Sequence, residues 1–264
     1  MPLSSVLRSP LRSALRTARG EGVGGPLSQF LSGAGSADYD AKKALTHWFT
    51  DSAGTIPVTA SGDKIGRWTD ATGHGFNGTQ GTANARLNAL LTGTRWTATG
   101  DGVDDNLLTS LLASAGDMSV FIDVDVPATI SANQVVLGAN EAGPTNRLQI
   151  GFNTSGHFVA GVGGDSVLVV KDAVDWRSQR FVGALVIDNT NSRVKLFTSN
   201  GTPYDAAKNG SPTGTIAARL AGVNNNGSAG SYFTGGIGRV SYAPKALLLA
   251  DFNLMRAEQL AYNS

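Results

Sequence analysis

The chain has 264 residues, 41% of them hydrophobic and 16% charged, so its bulk can bury a core and is not disordered by composition. It has no cysteine, which excludes a disulfide framework and a thiolate metal site. A net charge of +1 gives the body no bulk reason to bind nucleic acid. The composition includes 34 glycines and many Asn, Ser and Thr, which points to strands joined by tight turns. No apolar run approaches membrane-spanning length, so membrane insertion is not expected.

The charge is uneven along the chain. Residues 1–37 carry Arg8, Arg12, Arg16 and Arg19 against Glu21, while the remainder is slightly acidic. A four-residue unit repeats there, as Leu7-Arg8, Leu11-Arg12 and Leu15-Arg16, which a helix would set in adjacent stripes. Pro10 interrupts that helix, so an extended arm fits equally well. The regular Arg spacing denies the segment the continuous apolar stretch of a secretory signal. An organellar transit peptide, a plain disordered tail and a docking arm that orders on a partner stay open, and the docking arm is the reading carried forward. Residues 20–37, Gly-rich and aperiodic, read as a flexible linker.

The texture changes near residue 45. The run 64–68 alternates apolar with polar or small residues, and 118–126 is a long strand with period two clearest in its second half. Further strands are expected at 134–138, 146–152, 157–162, 166–171, 180–188, 193–198 and 231–242. Turn signals such as Asn153-Thr154-Ser155-Gly156 and Asn224-Asn225-Asn226-Gly227 separate them. Strands at about ten-residue spacing indicate an all-β sandwich or barrel. The end differs: 246–262 is expected to be an amphipathic helix built on Leu248, Leu249, Phe252, Met255, Leu260 and Tyr262.

Three stretches narrow the fold. The first is Asp63-Lys64-Ile65-Gly66-Arg67-Trp68-Thr69-Asp70-Ala71-Thr72-Gly73-His74-Gly75-Phe76-Asn77-Gly78-Thr79-Gln80. The second is Gly100-Asp101-Gly102-Val103-Asp104-Asp105-Asn106-Leu107, and the third is Gly235-Gly236-Ile237-Gly238-Arg239-Val240-Ser241-Tyr242 followed by the terminal helix. In that order they resemble the opening, a strand entry and the last strand of concanavalin A-like, laminin-G-type domains of bacteriophage and prophage virion proteins. The resemblance implies a two-sheet antiparallel jelly-roll sandwich over residues 38–264, carried behind the arm of 1–37. On physical grounds Trp68 is expected in the core, its N–H needing a partner. Asp70 and Thr72 suit a turn in which side chains cap backbone donors. Asp101, Asp104 and Asp105 are expected to do the same, with Ca²⁺ as the alternative, because close-set carboxylates are what that ion requires.

Catalytic constellations are missing. The chain has three glutamates, Glu21, Glu141 and Glu258, none in a strand that could carry a glycosidase pair. Asp123 and Asp125 share a strand face and are read as a solvated face. His47, His74 and His157 have no metal-ligand spacing. The expectation is a protein that is not an enzyme. The resemblance implies a virion-surface protein, of capsid-decoration or fibre type. Its arm (Leu7, Arg8, Leu11, Arg12, Leu15, Arg16) would dock on other virion proteins, and the body would be homo-oligomeric, in the manner of a trimer. The sandwich would contact host surface polysaccharide, with Trp176, Tyr204, Asn224, Asn225 and Asn226 as candidate glycan contacts. A free-standing carbohydrate-binding module is the alternative, and a glycan-active enzyme a further one.

Overall fold

The computed structural model describes residues 25–112, 116–140, 147–163, 169–170, 174–199, 203–208, 210, 217–225 and 227–261. The arm residues Leu7, Arg8, Leu11, Arg12, Leu15 and Arg16 therefore lie outside the described residues.

The fold is an all-β sandwich. One sheet runs, in spatial order, Tyr204–Ala207, Arg193–Phe197, Arg180–Asp188, Met118–Asp125, Gly236–Ala243, Arg95–Thr99, Leu87–Thr92 and Lys64–Ile65. Ala37–Asp40 also pairs with Gly236–Ala243. The facing sheet is centred on Arg147–Phe152, Gln134–Asn140, Ala217–Leu220 and Leu107–Leu112, and ends at Trp48–Phe49. Among the described residues pairing is antiparallel except where Val223–Asn225 runs parallel to Gln134–Asn140. The strand after the Asp-rich stretch, Leu107–Leu112, alternates buried and exposed residues along its whole length, as a half-solvated strand must.

Two apolar layers hold the molecule. The larger lies between the sheets and includes Trp48, Trp68, Ile122, Phe152, Phe158, Phe181 and Val240. Trp68 is fully buried, edge-on to Trp48 at 5.0 Å and to Tyr39 at 6.0 Å. Its Nε1 has no hydrogen-bond partner among the described residues, contrary to the expectation for a buried indole. The second layer covers the outer face of the first sheet, where Phe121, Val182, Ala184, Val186 and Phe197 meet Phe252 and Met255 of the terminal helix.

That second layer explains two departures from the sequence pattern. Met118–Asp125 is buried at seven of its eight residues, because a sheet covers one side and a helix the other. Residues 25–37, expected within a flexible linker, belong to the folded body. Leu27 and Phe30, three apart on the short helix Pro26–Phe30, pack into the layer under the terminal helix, and the Leu27 amide donates to Glu258 Oε2 at 3.2 Å. The terminal helix itself spans Leu249–Ala261, starting three residues later than expected. Ser119 Oγ donates to the Lys245 carbonyl and accepts from the Leu247 amide. The chain there is bonded to the sheet instead of coiling.

Candidate functional site

The alternation of Ala37–Asp40 puts Ala37 and Tyr39 inward and Asp38 and Asp40 on the outer face of the first sheet, and the last strand does the same with Arg239 and Ser241. The result is a buried ionic knot. Arg239 Nη2 lies 2.6 Å from Asp38 Oδ2, Arg239 Nη1 lies 3.3 Å from Asp40 Oδ2, and Ser241 Oγ donates to Asp38 Oδ1 at 2.8 Å. Burial pushes the Asp40 carboxyl up, and the Arg239 guanidinium opposes that rise.

A second knot lies on the same face. Asp123, fully buried, accepts from Arg180 Nε and Nη2 at 2.8 Å each, from Arg95 Nη2 at 3.2 Å and from Gln259 Nε2 at 2.7 Å. Arg95 also pairs with Asp125. The pair Asp123 and Asp125, expected on a solvated face, is thus split. Asp125 is half exposed, whereas the terminal helix roofs Asp123 and brings Gln259 onto it.

Beside these knots the surface opens into a two-lobed cleft. The larger lobe encloses about 560 Å³ between the two helices and the first sheet, with Lys42, Lys43, Thr72, His74 and Ser28 among its polar walls and Leu27 and Leu31 among its apolar ones. The smaller, of about 300 Å³, is lined by Thr94, Arg95, Trp96, Asp123, Gly238 and Gln259, and Lys42 lines both. The turn that brings in Thr72 and His74 is the one expected from Asp70. Asp70 Oδ1 accepts from the amides of Asp38 and Thr72 at 2.9 and 3.0 Å, and His74 Nδ1 sits 2.8 Å from the Ser36 carbonyl.

Burial holds the Lys42 amine down to about 8, the carboxylates of Asp40, Asp123 and Glu258 working against that and Arg239 reinforcing it. The unfolded chain keeps this proton up to the ordinary lysine range, about 10.4. Between pH 8 and 10 the unfolded state therefore binds more protons at this site, and raising pH favours the fold. Chemical denaturation at pH 8 and pH 10 should show this gain in the parent and a smaller or absent one in Lys42→Met. An identical pH slope in the two proteins would contradict the placement of Lys42.

The residues singled out beforehand do not line this cleft. Trp176 is 6% exposed and edge-on to Phe181 at 4.8 Å, which makes it a core residue and not a platform for a sugar. Tyr204 is half-buried on an edge strand and packs on the main core. Asn224 is buried and ties its own turn, donating to the Ala217 carbonyl at 2.7 Å and accepting from the Gly227 amide at 2.9 Å. Asn225 stands in the short strand Val223–Asn225, and Asn226 lies outside the described residues. Asp101, Asp104 and Asp105 are brought together: one carboxylate oxygen from each lies within 4.8 Å of the others. Asp101 also caps its turn as expected, accepting from the amides of Val103 and Asp104.

Over 95% of its length the chain is similar to a mutant of Trypanosoma rangeli sialidase displaying trans-sialidase activity, with a TM-score of 0.53, 11% identity and 38% of that chain covered. It is also similar to the CBM40 domain of Ruminococcus gnavus IT-sialidase (TM-score 0.45, 16% identity, 55% of this chain and 84% of that one). The NanB sialidase of Streptococcus pneumoniae gives a TM-score of 0.44 at 20% identity, over 52% of this chain and 23% of that one. The likeness is one of fold, and the chain spans well under half of either sialidase. No protein-family model and no curated protein sequence matches it.

Proposed function

We propose that this chain is a carbohydrate-binding module whose cleft at Lys42 takes up a saccharide and does not cleave it. The observation that carries the reading is the division of labour among the cleft's charged groups. Each carboxylate there is engaged: Asp38 and Asp40 by Arg239, Asp123 by Arg95 and Arg180, and Glu258 by the Leu27 amide. A glycosidase needs one carboxyl group free to give a proton and another free to attack or to activate water. Around these engaged groups stand the exposed Lys43 and His74, with Leu27 and Leu31 as an aliphatic wall. Polar groups beside apolar surface suit a sugar, which presents hydroxyls on its rim and C–H bonds on its faces. Among the described residues no Phe, Tyr or Trp lines the larger lobe, and Trp96 lines the smaller.

Attachment to a virion through residues 1–37, a trimeric body and a host polysaccharide ligand form the wider setting implied by the sequence resemblance. None of the structural neighbours named above is a virion protein, and the module reading does without that setting.

The test is an array of neutral and acidic glycans probed with the parent protein and with the double variant Lys43→Ala/His74→Ala. Both positions are exposed, so the variant should melt like the parent and lose most of the array signal. Equal binding by the two proteins would exclude the cleft. Release of cleaved sugar from any bound glycan, followed by mass spectrometry, would overturn the non-catalytic reading.

A further inference from the structure

Apart from the cleft, the strongest unexplained feature is the turn at residues 100–106, which leads into Leu107–Leu112. Here three carboxylates converge, two exposed (Asp101, Asp104) and one with no solvent exposure (Asp105). We propose that this turn holds a calcium ion between the carboxylates of Asp101, Asp104 and Asp105.

Proximity alone would not carry the proposal, since Asp101 caps its own turn. The independent observation is Asp105. Its Oδ2 accepts from the Asp101 amide at 3.1 Å, but its Oδ1 is buried and has no hydrogen-bond partner among the described residues. A buried, half-satisfied carboxylate beside two others is costly in the absence of a cation.

The spacing suits calcium. Oxygens bound to one such ion at about 2.4 Å can stand up to about 4.8 Å apart. The oxygens here lie within 4.8 Å of one another. Exposure of Asp101 and Asp104 leaves room for water to complete the shell, as calcium sites of moderate affinity allow. The turn is also built to keep its shape. Gly102 has φ +80°, and a Cβ there would stand 2.2 Å from Thr234 Cγ2, so no other residue fits without rearrangement. An ion in this turn would fix the entry of Leu107–Leu112, a strand of the sheet that packs across the core from the cleft's sheet.

The proposal is tested on the intact chain freed of divalent ions on a chelating resin. Calorimetric titration with calcium chloride should give one site per chain. Calcium should raise the melting temperature by several degrees over EDTA, and by more than magnesium does at equal concentration. Asp105→Asn should abolish the calcium-dependent shift. Asp104→Asn, at an exposed position that leaves the fold intact, should weaken binding at least tenfold. The proposal fails if the parent melts alike in calcium and EDTA, or if magnesium matches calcium. It also fails if the calcium response survives Asp104→Asn. Without an ion, Asp105→Asn would relieve repulsion and raise the melting temperature in EDTA and calcium equally.

Discussion

Replacing Asp123 by alanine should destabilise the fold by about 3–5 kcal/mol, the cost of breaking a buried ion pair and leaving its partners uncompensated. Three side chains converge on this carboxylate: Arg95 and Arg180 from two strands and Gln259 from the terminal helix. Its loss leaves Arg180 with no carboxylate partner and Arg95 with Asp125 alone, and it also unties the helix from the sheet it covers. The guanidiniums retain some access to water, at 16% and 23% side-chain exposure, which places the effect toward the lower end. For a body of this size a loss of about 3 kcal/mol lowers the melting temperature by roughly 10 °C. Asp125→Ala is the matched control. That carboxylate is 45% exposed, and its pairing with Arg95 is worth about 1 kcal/mol or less. Urea denaturation of the two variants should separate them clearly, and equal midpoints would refute the buried knot.

Trp68→Ala should cost as much by a different route, about 3–5 kcal/mol, because the indole is fully enclosed and a cavity would remain. Contacts with Trp48 and Tyr39 add a smaller aromatic contribution. Trp96 stands edge-on to Trp48 at 6.0 Å but is only partly buried, so Trp96→Ala should cost visibly less. Differential scanning calorimetry of both variants gives the comparison. If Trp96→Ala were the more damaging, the centre of the inter-sheet core would have been misplaced.

These two residues also mark where sequence reasoning succeeds and where it stops. Trp68 sits at the head of a turn whose Asp, Thr and Gly follow local rules, so its burial and the capping by Asp70 could be read from neighbours in the chain. Asp123 could not. Its face is decided by a helix some 130 residues further on, and period two cannot report that both faces of Met118–Asp125 are covered. One hint was present. Phe121 shares the face of Asp123 and Asp125, and a large aromatic on a supposedly solvated face signals a covering layer.

The cleft was hidden for the same reason, since its walls come from residues near 28, 42, 72, 239 and 258. A partial signal lay in Asp38 and Asp40, spaced two apart, with Arg239 and Ser241 spaced likewise in an otherwise apolar strand. Alternating polar residues in the middle of such a strand ask for partners. The aromatic and Asn positions favoured beforehand carried no such pairing. The folded chain uses Trp176 as core and Asn224 as a turn tie. Leu27 and Phe30 were passed over because the glycines around them suggested a linker, although their three-residue spacing is that of a short buried helix.

The most direct test of the saccharide-binding account is amide chemical-shift mapping of the ¹⁵N-labelled protein during titration with the strongest glycan found on the array. The account predicts saturable shifts clustered at Ser28, Lys42, Lys43, Thr72 and His74, with the glycan recovered intact. Shifts confined to the opposite sheet, or a glycan recovered cleaved, would contradict it.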